Sequence, residues 1–165
     1  MKKTVWIWNH YAGSMYEEQG GRHYAFAKYL KQAGYEPVVF CCNARHGKVE
    51  TYFPDTELWQ EHEAEKIGVL FVFVRGRTYG GNGAQRVLNM VDFYRNVKKT
   101  ARAYAKARGK PDVIYASSVH PLTLVAGIQT AKHFGVRCVC EVRDLWPESI
   151  VAYSNRFTRE HPLIR

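Results

Sequence analysis

The sequence lacks any apolar run near the roughly 20 residues that a membrane-spanning helix requires. After the basic start Met1–Lys3, the apolar stretch Val5–Trp8 is also far shorter than the ~7–15 residues of a signal-peptide core. Cysteine is scarce, and the four cysteines show no C-x2-C spacing and no accompanying H-x3-H pair, which argues against a zinc site or a disulfide framework. We expect a cytoplasmic chain without a leader, with buried, reduced thiols and no metal.

Three common ligand-binding and catalytic motifs are also missing. Gly81-Asn82-Gly83 is followed by Ala84-Gln85-Arg86, so the third glycine of a dinucleotide fingerprint is absent. Gly20-Gly21-Arg22-His23 lacks the Lys-Ser/Thr pair of a P-loop, and no G-x-S-x-G nucleophile elbow occurs. The sequence therefore lacks the simplest signatures of NAD-dependent enzymes, P-loop NTPases and α/β-hydrolases.

Acidic residues are few relative to basic ones, with 15 Asp+Glu against 24 Lys+Arg and a net charge of +9. This excess predicts an anionic partner, such as a phospholipid or a phosphorylated small molecule, although a solvated basic face explains it equally well. No nucleic-acid-binding motif accompanies the charge, so nucleic acid is not an expected partner. Much of the charge falls on one long predicted helix, where a membrane-facing surface would comprise Arg95, Lys98, Lys99 and Arg102.

What the chain does contain is an alternation of strand-like and helix-like segments. With 46% hydrophobic residues, its 165 residues suit one domain with its own core. Continuous apolar runs predict buried strands, and apolar positions three and four residues apart predict helices. We expect an α/β fold with a doubly wound, mostly parallel, Rossmann-like sheet.

The predicted strands are Lys3–Asn9, Pro37–Cys42, Val69–Val74, Val113–Ala116 and Val136–Val142. The predicted helices are Gly21–Ala33, a long helix with Val87, Val91, Tyr94, Val97, Ala101 and Tyr104 on its apolar face, and Pro121–Phe134, which is apolar nearly all round and hence expected to be buried. The segments His10–Gly20 and Asn43–Lys66 are expected to be loops.

Polar side chains follow three of these strands, where ligands bind in such sheets. His10 follows the first, His120 the fourth, and Arg143–Glu148 the fifth. Asp144 is either a cleft carboxylate that acts as a base or orients a hydroxyl, or the cap of the next helix. His120 is either a catalytic residue or a loop residue that makes hydrogen bonds. Arg143 either holds phosphate or pairs with a neighbouring glutamate.

Two glycines, Gly20 and Gly21, open the first long helix. Backbone N–H groups and the positive end of the helix dipole suit a phosphate at such a position. Arg22 and His23 in the first turn oppose the dipole, so a nearby anion would offset them. The alternative is that the glycines only make a turn.

Five segments together resemble the N-terminal domain of family 4 glycosyltransferases, two-domain enzymes of the GT-B fold that act in bacterial surface-polysaccharide synthesis. The most specific string is Arg143-Asp144-Leu145-Trp146-Pro147-Glu148, and Tyr79–Gly83 followed by Arg86 fits the branch that carries it. The resemblance covers essentially the whole chain. Its segments are Asn9–Ala12, Gly20–Tyr24, Gly34–Val38, Asp112–Ser118 and Glu141–Glu148.

This resemblance implies transfer of a sugar from a nucleotide-sugar donor to a saccharide or polyprenyl-linked acceptor, without metal or other cofactor, at the inner face of the membrane. It implies that Asp144 faces the reacting centre and that the basic helix meets anionic lipid or the acceptor diphosphate. It places the donor diphosphate near Gly20, Gly21 and Arg22, and the acceptor near His10, His120, Arg143 and Glu148.

The sequence departs from the family in one respect, because the donor-binding domain with its Glu-x7-Glu element is absent. His161–Arg165 also resembles the start of the family's next long helix. We therefore expect residues 1–165 to be an incomplete acceptor-side domain, inactive without a C-terminal domain or partner chain. The alternative is a non-catalytic module that binds an anionic lipid or nucleotide. An exposed sheet edge would also favour a homodimer.

Overall fold

A computed structural model describes residues 2–143 and contains six strands and four helices within that range. The elements in chain order are β1 Thr4–Trp8, α1 Gly13–Glu18, α2 Arg22–Gln32, β2 Glu36–Cys42, β3 Trp59–Ala64, β4 Val69–Val74, α3 Ala84–Arg108, β5 Val113–Ser117, α4 Pro121–Phe134 and β6 Arg137–Glu141. They form one sheet in the order β3-β4-β2-β1-β5-β6. All neighbours are parallel except β3, which pairs antiparallel with β4.

The central strands are buried on both faces, with successive side chains alternating between the two faces of the sheet. Trp6, Phe40 and Val72 belong to the core beneath α3 and α4. Ile7 and Val39 belong to the opposite core, beneath α2. This arrangement confirms the predicted α/β fold with a doubly wound, mostly parallel, Rossmann-like sheet.

Two elements lie in segments that the sequence predicted to be loops. The single-turn helix α1 occupies Gly13–Glu18 and has no side-chain cap, so its sequence carries no start signal. Strand β3 has one neighbour, is largely polar and is only partly buried, so it lacks the continuous apolar run of the central strands. Both elements are set by tertiary packing rather than by a local pattern.

The buried face of α3 differs from the predicted one. Val97, Ala101 and Tyr104 are buried as expected, but Phe93 and Asn89 continue the stripe toward the N-terminus. Val87 is 58% exposed instead. The sequence holds two overlapping apolar stripes on this helix, and packing selects the one that carries the larger Phe93 side chain.

The sheet edge at β6 corrects two further predictions. Helix α4 is not buried all round, since Val125 and Ile128 are 39% and 40% exposed. Cys140 is exposed and Cys138 is half-buried, whereas Cys41 and Cys42 are buried as predicted. Within residues 2–143 no strand lies beyond β6, so its outer backbone edge is unpaired, and its side chains are exposed or only half-buried. No helix in this range is long and apolar enough to cross a bilayer.

Candidate functional site

From β1, the sheet grows to one side through β2, β4 and β3 and to the other side through β5 and β6, so the strand order reverses between β1 and β5. Doubly wound sheets open a crevice at such a point. The segments after these two strands bring two histidines together. Nδ1 of His10 lies 2.7 Å from Nε2 of His120. Both side chains are almost completely buried, and the His10 ring also packs on Phe93 with centroids 4.4 Å apart. The structure therefore joins two of the predicted site residues directly.

Both histidines are uncharged at neutral pH. Burial, together with the neighbouring His120, holds the pKa of His10 well below its ordinary value. Burial and then the positive charge of Arg86 lower the pKa of His120 to about 4. One ring therefore donates the shared hydrogen bond and the other accepts it.

A second cluster surrounds the carboxylate of Glu141 at the end of β6. Ser117 Oγ donates to Oε2 at 2.5 Å, His23 Nε2 lies 3.2 Å from the same oxygen, and Arg22 forms an ion pair with Oε1. Burial alone would raise the pKa of Glu141, but the hydrogen bonds from Ser117 and Arg22 outweigh it and hold this pKa at about 2. Glu141 is thus an ionised structural anchor rather than a proton donor at neutral pH.

The His23 ring links this carboxylate to the end of β1. The Asn9 amide nitrogen lies 2.8 Å from Nδ1 of His23 and donates to it, which leaves the ring proton on Nε2, facing Glu141. Burial lowers the pKa of His23 despite the adjacent carboxylate. Hydrogen bonds therefore run continuously from Asn9 through His23 to Glu141 and tie the ends of β1 and β6 to the first turn of α2. Sequence reasoning did not single out these hydrogen bonds, because the residues that form them lie on separate elements.

The predicted phosphate position lies at the start of α2. Gly21 precedes the helix at φ 88°, a conformation that favours glycine, and no side chain caps the helix. An anion that would offset Arg22 and His23 in the first turn is present in the chain itself, as the Glu141 carboxylate. Binding of a donor diphosphate at Gly20, Gly21 and Arg22 stays a prediction, with Arg22 already engaged in an ion pair.

Of the predicted site residues that follow β6, Arg143 is the last residue of the described range, and the others lie beyond it. Arg143 is exposed, and its backbone N–H donates to Ser118 Oγ at 3.0 Å. Asp144 and Glu148 lie outside the described residues, so their predicted roles stay predictions. In residues 2–143 no group of three or more His, Cys, Asp or Glu side chains is arranged to hold a metal ion.

The predicted membrane-facing residues fall into two groups. Arg95, Lys99 and Arg102 are exposed at positions that share one side of α3, and Lys106 continues the stripe. Lys98 is only half-exposed, because Nζ contacts Gln129 Oε1 at 2.9 Å and lies 4.0 Å from the centre of the Tyr94 ring. The first three keep their charge available to an anionic surface, and Lys98 points to α4 instead.

A pocket of about 380 Å³ lies between the first turns of α3 and α4. Arg86 and His120 supply its polar groups, and Val87, Met90 and Leu122 supply apolar walls. The Arg86 guanidinium is held by Asn82 Oδ1 at 2.7 Å and Tyr11 Oη at 3.4 Å. The glycine-rich loop before α3 contains a signal that could have indicated the pocket. Arg86 stands where a dinucleotide fingerprint has its third glycine, one helical turn after Asn82.

No family model and no curated protein matches the chain. Among solved structures, the chain is similar to two crystal structures of the C-terminal domain of the PF1911 hydrogenase from Pyrococcus furiosus, with TM-scores of 0.52 and 0.51 at 14% identity. The alignments cover 86% of this chain and 94% and 93% of those chains. At this identity the similarity supports the Rossmann-like α/β architecture and nothing about chemistry.

Proposed function

We propose that the chain is the acceptor-side, N-terminal domain of a glycosyltransferase, which moves a sugar from a nucleotide-sugar donor to a saccharide or polyprenyl-linked acceptor. The observation that carries this proposal is the placement of the resembling segments. Asn9–Ala12, Asp112–Ser118 and the start of Glu141–Glu148 end at one edge of the sheet, across the switch point between β1 and β5. Segments far apart in sequence thus contribute to one crevice.

The roles within this proposal are those that the resemblance implies. The acceptor lies against His120 and Arg143, with the buried His10 supporting His120 from behind and Glu148 completing the site. The donor diphosphate lies at the N-terminus of α2, where the backbone N–H groups of the first turn are available and Arg22 is shared with Glu141. Asp144 serves the reacting centre, and no metal takes part.

The first test is binding and turnover by the purified chain. We expect farnesyl-diphosphate-linked N-acetylglucosamine to bind and to shift the NMR signals of residues 9–11 and 117–122. We expect UDP-N-acetylglucosamine to bind weakly and no sugar transfer between the two, because the donor-binding domain is absent. Replacing His120 by Asn should weaken binding of the farnesyl-linked probe at least tenfold.

His133→Asn is the matched control, since His133 is an exposed histidine at the other end of α4 and should leave binding unchanged. Saturation by the farnesyl-linked probe without shifts at these two loops would refute the proposed acceptor site. Measurable transfer by the chain alone would refute its assignment as an incomplete enzyme.

A second candidate, a non-catalytic module on an anionic lipid surface, is favoured by the exposed stripe Arg95, Lys99, Arg102 and Lys106. Each basic residue near an anionic surface contributes about 1 kcal/mol. We expect the double variant Arg95→Glu with Lys99→Glu to lose most co-sedimentation with phosphatidylglycerol-containing vesicles. Lys28→Glu with Lys66→Glu makes the same charge change away from the stripe and should retain binding. Equal loss of co-sedimentation in both variants would show that vesicle binding depends on the net charge and not on this stripe.

A further inference from the structure

The pocket between α3 and α4 is built at two helix N-termini. Gly83 caps α3 and His120 caps α4, and neither contributes a side-chain hydrogen bond to its helix. Neither first turn holds an acidic residue. Both caps line the same pocket, so two positive dipole ends face one volume. At α4, Pro121 has no N–H and the Thr123 N–H donates to the His120 carbonyl, so this helix end contributes its dipole and the Leu122 N–H. Helix ends of this kind favour an anion.

The cation beside these helix ends has no acidic partner. Arg22, Arg45, Arg77 and Arg108 each pair with a carboxylate. Among residues 2–143, by contrast, no carboxylate lies within salt-bridge distance of Arg86, and its contacts with Asn82 and Tyr11 only orient the guanidinium. Arg86 therefore keeps donors for a bidentate contact with a phosphate.

A buried polar atom gives an independent indication of a ligand. His120 lines the pocket and is 2% exposed, and within residues 2–143 its ring nitrogen away from His10, Nδ1, has no hydrogen-bond partner. A buried polar atom without a partner is costly, unless a ligand supplies one.

The Asn89 side chain bears on whether this nitrogen donates or accepts. Asn89 Nδ2 donates to the Arg77 carbonyl at 2.7 Å and lies 3.6 Å from Cys42 Sγ, so the amide oxygen Oδ1 turns the other way. Oδ1 and His10 Nε2 are both buried, and neither has a hydrogen-bond partner among the described residues. The His10–His120 contact at 2.7 Å fits either tautomer, and a proton on His10 Nε2 would leave Nδ1 of His120 as an acceptor.

We propose that this pocket binds a phosphate ester that carries a free hydroxyl group. The phosphate lies at Arg86 and the two helix N-termini, the hydroxyl donates to Nδ1 of His120, and the carbon skeleton packs on Val87, Met90 and Leu122. Asn89 is a positioning residue: its Oδ1 holds the proton of His10 on Nε2, so that His10 Nδ1 accepts from His120 Nε2–H and Nδ1 of His120 is left to accept from the ligand. The inference deepens the proposed function and rests on it for the kind of substrate, because an acceptor sugar linked through phosphate presents both groups.

The tautomers of His10 and His120 test the proposed role of Asn89 without any ligand. In 15N-histidine-labelled chain at pH 7, we expect His10 and His120 both to carry the proton on Nε2, with Nδ1 unprotonated. Asn89→Leu removes the acceptor and should produce a mixture of tautomers, whereas Asn89→Asp retains an acceptor oxygen and the wild-type pattern. A His120 protonated on Nδ1 in the wild-type chain overturns the assignment of a hydroxyl donor.

Binding of small probes tests the site itself. We expect glucose 1-phosphate to shift signals in the first turns of α3 and α4, with inorganic phosphate and glucose each at least tenfold weaker. Arg86→Gln should weaken glucose 1-phosphate and phosphate at least tenfold. His120→Phe should weaken glucose 1-phosphate tenfold but phosphate less than twofold, and His133→Phe should change neither. Equal weakening of both probes by His120→Phe, or no saturable shift, overturns the proposal.

The two proposals fail in distinguishable ways. If the farnesyl-linked probe binds at residues 9–11 while glucose 1-phosphate leaves both first turns unshifted, this inference is wrong and the proposed function stands. If glucose 1-phosphate binds and the farnesyl-linked probe does not, the site stands as a sugar-phosphate site outside glycosyl transfer.

Discussion

Replacing Trp6 by alanine is expected to lower the free energy of unfolding by about 3–5 kcal/mol. The Trp6 side chain is fully buried on the central strand β1. Its ring packs against Phe40, Tyr104 and Phe134 at centroid distances of 5.0, 5.6 and 5.8 Å. One side chain thus joins the sheet to both α3 and α4, and its loss leaves a cavity that this rigid aromatic cluster fills poorly.

Urea unfolding followed by far-UV circular dichroism measures this loss. Trp6→Phe should cost far less, about 1 kcal/mol, because it keeps an aromatic ring and removes an indole N–H that has no hydrogen-bond partner in residues 2–143. Tyr29→Ala, at a side chain that is 64% exposed, should change stability by less than about 0.5 kcal/mol. A Trp6→Ala variant as stable as Tyr29→Ala would place Trp6 outside the core.

The fold was predictable where one-dimensional patterns coincide with burial. Pro37–Cys42 and Val69–Val74 are continuous apolar runs, and both are central parallel strands. Trp59–Ala64 has no such run, because it pairs with one neighbouring strand among the described residues and is only partly buried, so no apolar pattern marked it as a strand. On α3 the spacing correctly predicted a helix. The two overlapping apolar stripes did not show which side of the helix faces the core, and the packing of Phe93 decides it.

The candidate site was predictable only in part. The rule that ligands bind beyond strand ends identified His10 and His120, and they form a hydrogen-bonded pair. The same rule did not predict the partner of Arg22, which forms an ion pair with Glu141, 119 residues away in the sequence. Asn89 was hidden for another reason: it is one polar residue on an apolar helix stripe, and its partners lie on other elements. Contacts of this kind require the three-dimensional register of strands and helices.

Replacing Glu141 by glutamine is expected to lower the free energy of unfolding by about 2–3 kcal/mol at pH 7, since each pKa unit corresponds to about 1.4 kcal/mol. The carboxylate anchors Ser117, His23 and Arg22, and the Glu141 side chain is 18% exposed. Glutamine keeps the size and one acceptor oxygen but removes the charge. Arg22 is 61% exposed, so water screens its share of the loss.

The loss should depend on pH with a definite sign. The pKa of Glu141 in the folded chain is about 2, below the ordinary value of 4.5, so the stabilisation is complete above pH 4.5 and disappears as the pH falls toward 2. Urea unfolding at pH 7, 4 and 3 should therefore show wild type and Glu141→Gln converging as acid is added, whereas the exposed control Glu57→Gln should run parallel to wild type. A difference between wild type and Glu141→Gln that stays constant from pH 7 to 3 would show that the carboxylate acts through its shape and hydrogen bonds alone, and that the strand ends at the crevice are held together without its charge.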